Sequence, residues 1–263
     1  MTRFEKYEGL GNDFLIVDVA TEGALSAERA MKLCDRHRGV GGDGVLLVLP
    51  PASPGARARM LVWNADGSRP EMCGNGIRCV ALHLARRDDA PGITYVIDTD
   101  AGPRTCEVTR DGDSADVVVD MGRAEVGADQ VAVLDGREVR FTRVSVGNPH
   151  AVAFDVDATP ADLDRFGPIV SGAVPGGCNV ELVTRAGDEF EVMVWERGVG
   201  RTQACGTGAC ATGVAAISRN LARSGERMLV KLPGGPLEIT VTAPELALRM
   251  RGPARRVFSG EAV

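Results

Sequence analysis

Two short stretches, Met72-Cys73-Gly74-Asn75-Gly76 and Ala204-Cys205-Gly206-Thr207-Gly208, share one pattern and lie about half the chain apart. Each reads Cys-Gly-x-Gly and runs into an Ala-rich segment of helical character. A thiol at the mouth of a helix sits beside unpaired backbone N–H groups and the positive end of the helix dipole. That setting binds anions and favours thiolate over thiol. Two such thiols suit a pair of opposed bases around one bound carboxylate. The matching chemistry is inversion of a stereocentre, with a proton removed from one face and returned to the other. Amide donors of both turns would hold the carboxylate and the charge that develops as the α-proton leaves, so no cofactor is required.

Further polar residues crowd the turns. Asn12, Asn64, Asn148 and Asn179 each stand at the edge of a predicted strand. A lone Asn in a turn ordinarily serves the backbone; four at strand ends look like ligand donors. Glu196-Arg197 offers a carboxylate for an ammonium and a guanidinium for a second carboxylate. His150, one of three histidines, is placed to tune a nearby thiol. Cys34, Cys79, Cys106, Cys178 and Cys210 read as small buried hydrophobes, and His37 and His83 as helix-surface or packing residues.

Composition bounds the rest. Of 263 residues, 44% are apolar and 25% charged, as in a soluble globular protein. The net charge of −6, with basic residues scattered, gives no reason to expect a nucleic-acid or membrane partner. Seven cysteines without a predicted signal peptide point to cytoplasmic thiols and not to a disulfide framework. No spacing suits a metal.

The elements that must position these residues recur in order. Strands are expected at 14–19, 44–49, 60–64, 93–99 and 115–121. A second set follows at 131–134, 138–146, 151–156, 179–184, 190–196, 228–231, 237–242 and 247–251. Helices are expected from Ser26, as cap, to about His37, then over 76–87 and 208–223. Strands, a Cys turn, a central helix and closing strands thus occur twice. This implies an α/β chain of α+β type with two pseudo-symmetric lobes, each a curved mixed sheet around a central helix, and an active site in the cleft between them. The expected lobes are 1–121, with return of the tail 253–263, and 122–252.

The motifs GNDF (11–14), GVGGDG (39–44), NADGS (64–68), MCGNGIRC (72–79), GNPH (147–150) and ERGVGRTQACGTG (196–208) together resemble the diaminopimelate epimerase family over nearly the whole chain. The resemblance implies cofactor-independent conversion of LL-2,6-diaminopimelate to the meso form, serving lysine and peptidoglycan synthesis. It further implies a cytoplasmic homodimer. By position, Cys73 and Cys205 would be the two bases. Backbone amides at Gly74, Asn75, Gly206 and Thr207 would hold the reacting carboxylate. Asn12, Asn64, Asn148, Asn179 and Arg197 would recognise the polar ends of the substrate, with Arg197 on the distal carboxylate. His150 and Glu196 would adjust the thiols, and Glu196 would also meet an ammonium. The chain departs from some members at Gly44, where they carry Gln, and at Phe258, where they carry an aromatic hydroxyl. A racemase or epimerase for another amino acid, a phenazine-type isomerase and a binding protein on the same scaffold are the rival readings. Asn75 in place of His counts against a proline racemase-like member of the first group, and the paired thiols count against the phenazine-type isomerase. An epimerase for a basic amino acid such as histidine stays open, because it keeps the thiol pair.

Overall fold

A computed structural model describes residues 1–263. Contacts divide the chain into two compact units, one of residues 1–120 with 251–263 and one of residues 121–250.

The first unit runs β1 (Thr2–Gly9), β2 (Asn12–Asp18), α1 (Ala27–Cys34), β3 (Gly44–Leu49), β4 (Ala58–Asn64), α2 (Gly74–Arg87), β5 (Gly92–Asp98), β6 (Arg104–Asp111) and β7 (Ser114–Arg123). Antiparallel pairs alternate with parallel ones: β2 lies parallel to β3 across α1, and β4 parallel to β5 across α2. Parallel neighbours need such a crossover, and a helix supplies it. Strand β3, Gly-Val-Leu-Leu-Val-Leu, is buried at every position, as a strand covered on both faces must be. Leu15, Leu33, Val45, Leu47 and Leu61 pack in one cluster under α1.

The second unit repeats that order. It comprises β8 (Glu125–Val126), β9 (Gln130–Leu134), β10 (Arg137–Ser145), β11 (Pro149–Phe154), α3 (Pro160–Gly172), β12 (Asn179–Ala186), β13 (Glu189–Glu196), β14 (Gly200–Thr202), α4 (Gly206–Ser218), β15 (Arg227–Leu232) and β16 (Gly235–Thr242). Here β11 lies parallel to β12 across α3, and β13 parallel to β15 across α4. The last strand, β17 (Ala247–Ala262), ends in the first unit, antiparallel to β1 from Glu8↔Arg255 to Thr2↔Ala262.

The central helices are buried nearly all round. In α2 only Arg86 and Arg87 escape, and in α4 only Thr207, Ile217 and Ser218. Small residues let the sheets approach. A side chain at Gly76 would meet Leu46 Cδ2 at 3.0 Å, and one at Gly213 would meet Ile239 Cγ2 at 2.9 Å.

Several expectations are corrected. Helix α1 stops at Cys34 and not His37, because the Asp35 carboxylate takes the N–H groups of His37 and Arg38 into a turn. Helices α2 and α4 begin two residues early, at Gly74 and Gly206, and α4 ends at Ser218, with Asn220 in the left-handed region (φ 58°). Strands β1 and β6 were not expected, and β17 runs eleven residues past its expected end at Arg251. Helix α3 was also unforeseen. Its start is a capping box, with Thr159 accepting from the Asp162 N–H and Asp162 accepting from the Thr159 N–H, and Pro160 occupies the first turn. Gly167 and Pro168 inside it mask the pattern.

Gly167 has a packing reason. A Cβ there would fall 2.3 Å from Trp195 Cγ, at the root of the indole, where little movement is available. Gly→Ala at an unhindered helix position stabilises by roughly 0.5–1 kcal/mol. Gly167→Ala is expected to reverse that sign and cost about 1–3 kcal/mol through overpacking. A lower urea midpoint at unchanged slope is the readout.

Candidate active site

Each Cys turn is built by its helix. Cys73 is extended (φ −135°, ψ 113°) and its sulfur accepts from the Gly76 N–H at 3.3 Å. Cys205 repeats this (φ −126°, ψ 107°), its sulfur accepting from the Gly208 N–H at 3.4 Å. A thiol thus occupies the N-cap, where Ser, Thr, Asp or Asn is usual. Sulfur is a weak acceptor, and the positive dipole end of the helix favours an anion at this position.

In the first unit, one end of the sheet gathers Asn12, Asn64 and Asn75. Asn75 Nδ2 donates to Asn12 Oδ1 at 3.2 Å, and Asn12 Nδ2 donates to Asp43 Oδ2 at 2.6 Å. Asp43 and Asp13 are held by Arg36, and Asp13 also by Lys6 at 2.6 Å. Asn64 ends β4 opposite Gly44, its Nδ2 on Ser68 Oγ at 2.9 Å. A Cβ at Gly44 would lie 2.7 Å from the Trp63 carbonyl, so the backbone as it stands closes this position to a side chain. Arg78 on α2 is fully buried and spends its donors on the carbonyls of Gly74 and Pro253 and on Asn75 Oδ1. It fixes the Cys73-Gly74-Asn75 turn from behind.

In the second unit, Asn148, His150, Asn179, Glu196, Arg197, Cys205, Gly206 and Thr207 come together. Asn148 Nδ2 donates to Thr207 Oγ1 at 3.3 Å, and that hydroxyl lies 3.5 Å from Cys205 Sγ. Glu196 takes a hydrogen bond from Thr202 Oγ1 at 2.6 Å and stands within hydrogen-bond reach of the Cys205 thiol. Burial pushes the Glu196 carboxyl above its usual range, and the Glu181 carboxylate adds to this. Arg197 is exposed and makes no ion pair. Its N–H donates to Asn179 Oδ1 at 2.9 Å and its guanidinium to the Gly176 carbonyl at 2.9 Å. Gly177 leaves room for this side chain, since a Cβ there would meet Arg197 Cδ at 2.9 Å.

One electrostatic expectation is corrected. The helix mouth alone suggests a depressed thiol, yet Cys205 is pushed well above the ordinary range. Burial is the main cause, then the carboxylates of Glu196 and Glu181, against hydrogen bonds from Thr207 and Gly208. Cys205 therefore rests as a thiol. Both residues expected to adjust the thiols lie in the second unit with Cys205: Glu196 borders its sulfur, and His150 is linked to it through Asn148 and Thr207.

Glu181 was missed. It is fully buried on β12, and its Oε1 meets His150 Nδ1 at 2.6 Å. A charged residue inside the apolar run Val180 to Val183, on the same face as Asn179 by strand alternation, was the available signal. The other five cysteines are buried. Desolvation pushes Cys106 up to about 12 and Cys34 and Cys178 up to about 11, so they rest as inert thiols. His83 is a buried packing residue on α2, bonded to Tyr7 and Asp18.

The fold is shared with a wider class. A hydroxyproline epimerase from Agrobacterium vitis matches with a TM-score of 0.75, covering 99% of this chain and 90% of its own at 16% identity. A PhzF-family phenazine biosynthesis protein from Bacillus anthracis matches at 0.77, covering 100% and 99% at 15% identity. The fold is therefore the α+β fold of these epimerase and PhzF-type proteins.

Sequence narrows the class. The diaminopimelate epimerase family model matches residues 4–127 and 142–257. Diaminopimelate epimerases from Synechocystis and Desulforudis audaxviator are 43% and 44% identical over 279 and 280 residues, in each case 98% of both chains. The chain belongs to the diaminopimelate epimerase family and is an isomerase of epimerase type.

The raised Cys205 thiol has a direct readout. The ultraviolet thiolate absorbance of the unaltered chain minus that of Cys205→Ala should appear only well above the ordinary thiol range near ~8.5. Glu196→Gln, which removes a carboxylate beside the sulfur, should bring that onset to lower pH.

Proposed function

We propose that this protein interconverts LL- and meso-diaminopimelate by a two-base proton transfer, in the cytoplasm, for lysine and peptidoglycan precursor synthesis. The observation that carries the reading is the pair of thiols, each capping the buried helix of its own unit, in a chain that aligns with diaminopimelate epimerases from end to end.

In the proposed reaction one sulfur, as thiolate, takes the α-proton. The C–H electron pair moves onto the carboxylate, and the other sulfur, as thiol, gives a proton to the opposite face. The two sulfurs exchange states, nothing is oxidised or reduced, and the reverse direction uses the same steps. Cys205, resting as a thiol, is ready as the donor. Amides at Gly74, Asn75, Gly206 and Thr207 would hold the reacting carboxylate, since they lie in the first turns of α2 and α4, at the positive ends of those helices. That stabilisation supports a reaction without cofactor or metal.

Asn12, Asn64, Asn148 and Asn179 would hold the substrate's polar ends, and Glu196 would meet its ammonium. Arg197, without an ionic partner of its own, would take the distal carboxylate. His150 and Glu196 would set the thiol states. A homodimer is the proposed assembly, supported by Val257 and Phe258, which leave 47% and 43% of their surfaces exposed on β17.

In heavy water, the unaltered enzyme should exchange the α-proton of LL-diaminopimelate, followed by proton NMR, while Cys73→Ala and Cys205→Ala should lose racemising turnover. Exchange that survives both changes would exclude the thiol pair.

Arg197→Ala should raise KM for diaminopimelate about tenfold or more with a smaller change in kcat. This corresponds to roughly 1.5–3 kcal/mol for a hydrogen bond to a charged group. An unchanged KM would direct attention to a substrate lacking the distal carboxylate.

A further inference from the structure

In the first unit the side-chain amides of Asn75 and Asn12 belong to one line of hydrogen bonds with fixed polarity at both ends. At one end stands Arg78, fully buried on α2, and a guanidinium only donates. Its Nη2 donates to Asn75 Oδ1 at 3.0 Å, and Asn75 Nδ2 donates to Asn12 Oδ1 at 3.2 Å. Asn12 Nδ2 then donates to Asp43 Oδ2 at 2.6 Å. That oxygen also takes the Asp13 N–H at 3.0 Å, and Asp43 Oδ1 takes Arg36 Nη2 at 2.8 Å. Both carboxyl oxygens thus face a backbone N–H or a guanidinium, groups that cannot accept. Turning Asn12 over would set its oxygen against the Asp43 carboxylate and its NH2 against that of Asn75.

Asp43 is placed without help from its side chain. Its N–H donates to the Asp13 carbonyl at 2.7 Å, and its carbonyl accepts from the Ala65 N–H at 3.0 Å. The residue therefore bridges the start of β2, beside Asn12, and the end of β4, beside Asn64. Arg36 is anchored separately, by two contacts to Asp13 at 2.6 and 3.2 Å. With the loop tied through its backbone, the Asp43 carboxylate has another task. Its bond to Asn12 is the shortest in the line, and ionised acceptors make the stronger hydrogen bonds.

We propose that Asp43 is a positioning residue for the epimerisation: by accepting from Asn12 Nδ2, it fixes the Asn12 amide in one orientation for a polar end of the substrate. This rests on the reading in which Asn12 meets diaminopimelate. Arg78 orients Asn75 from the opposite end of the same line, so the two amides are ordered together before a ligand arrives. Binding then loses less free energy to ordering them.

Asp43→Ala removes the acceptor and keeps both backbone bonds. Its KM for diaminopimelate should rise about tenfold with kcat within about threefold, the pattern of lost ground-state binding. Arg36→Gln removes the ion pairs and leaves the Asn12 bond, so KM should stay within about twofold. A carboxylate serving only the ion pairs or the loop would give both variants the same loss, or none. Asp43→Asn combined with Arg36→Gln restores a neutral oxygen acceptor and removes the guanidinium that would oppose its NH2. That double variant should return KM to within about threefold of the unaltered value. Side-chain amide NMR is the second readout, with the Asn12 signal assigned through Asn12→Ala. The Asn12 NH2 signal should move in Asp43→Ala and hold in Arg36→Gln. An unchanged KM in Asp43→Ala overturns the proposal, as does an equal rise in Arg36→Gln or no recovery in the double variant. Should Asp43→Ala fail to melt cooperatively, the unaltered protein still decides: an Asn12 NH2 signal like that of a solvent-exposed asparagine overturns the proposal. An unaltered protein inactive on diaminopimelate would instead refute the substrate reading, and the Asn12 signal would report on Asp43 independently.

Discussion

A sulfur atom at the N-cap of a buried helix is the constraint around which each unit is arranged. The cap position is the one place where a side chain and several unpaired backbone amides face the same small volume. Placing a thiol there puts an ionisable sulfur and helix-start amides within four residues. The arrangement costs something, since sulfur is a weaker cap than the oxygen of Ser, Thr, Asp or Asn. Burial of α2 and α4 compensates. Their small residues, among them Gly76 and Gly213, bring sheet and helix into contact that would not tolerate a Cβ. The helix is held by packing, and its mouth is left free for chemistry.

Topology then repeats while the supporting polar groups do not. Each unit uses an antiparallel pair, a parallel crossover, a second antiparallel pair and a crossover through the central helix. Behind the Cys73 turn stands the buried guanidinium of Arg78, bonded to the Gly74 carbonyl. Behind the Cys205 turn stands the buried carboxylate of Glu181, whose Oε1 would lie 2.8 Å from a Cβ at Gly208. Equal backbones therefore meet opposite charges.

Much of the site could be read from the sequence because its parts are local. Cys73 and Cys205 announce themselves through flanking glycines that serve no ordinary helix start, and the Asn residues fall at strand ends predicted from β-branched runs. The thiol caps also explain the boundary errors at α2 and α4: a cysteine is not a usual capping residue, so the starts were set two residues late. Helix α3 carried a legible capping box at Thr159, but Gly167 and Pro168 spoke against it, and the reason for Gly167 is the indole of Trp195, a neighbour only in the fold. Glu181 was hidden for the same reason. Nothing in Asn-Val-Glu-Leu-Val reveals that a histidine thirty-one residues earlier lies on the next strand.

A reaction that moves a proton from one sulfur to another needs the two thiols in different states before substrate arrives. The helix mouths cannot supply that difference, because both turns have the same backbone and the same sulfur-to-amide contact, 3.3 Å in one and 3.4 Å in the other. The difference must come from the side chains behind them. Around Cys205, burial and two carboxylates hold the proton on sulfur, outweighing the dipole that drew attention to the turn in the first place. Hydrogen bonds from the Thr207 hydroxyl and the Gly208 N–H work in the opposite sense. A site built only from helix dipoles would give two similar thiols. Unequal buried charges on a repeated backbone keep the proton on sulfur at the mouth of α4.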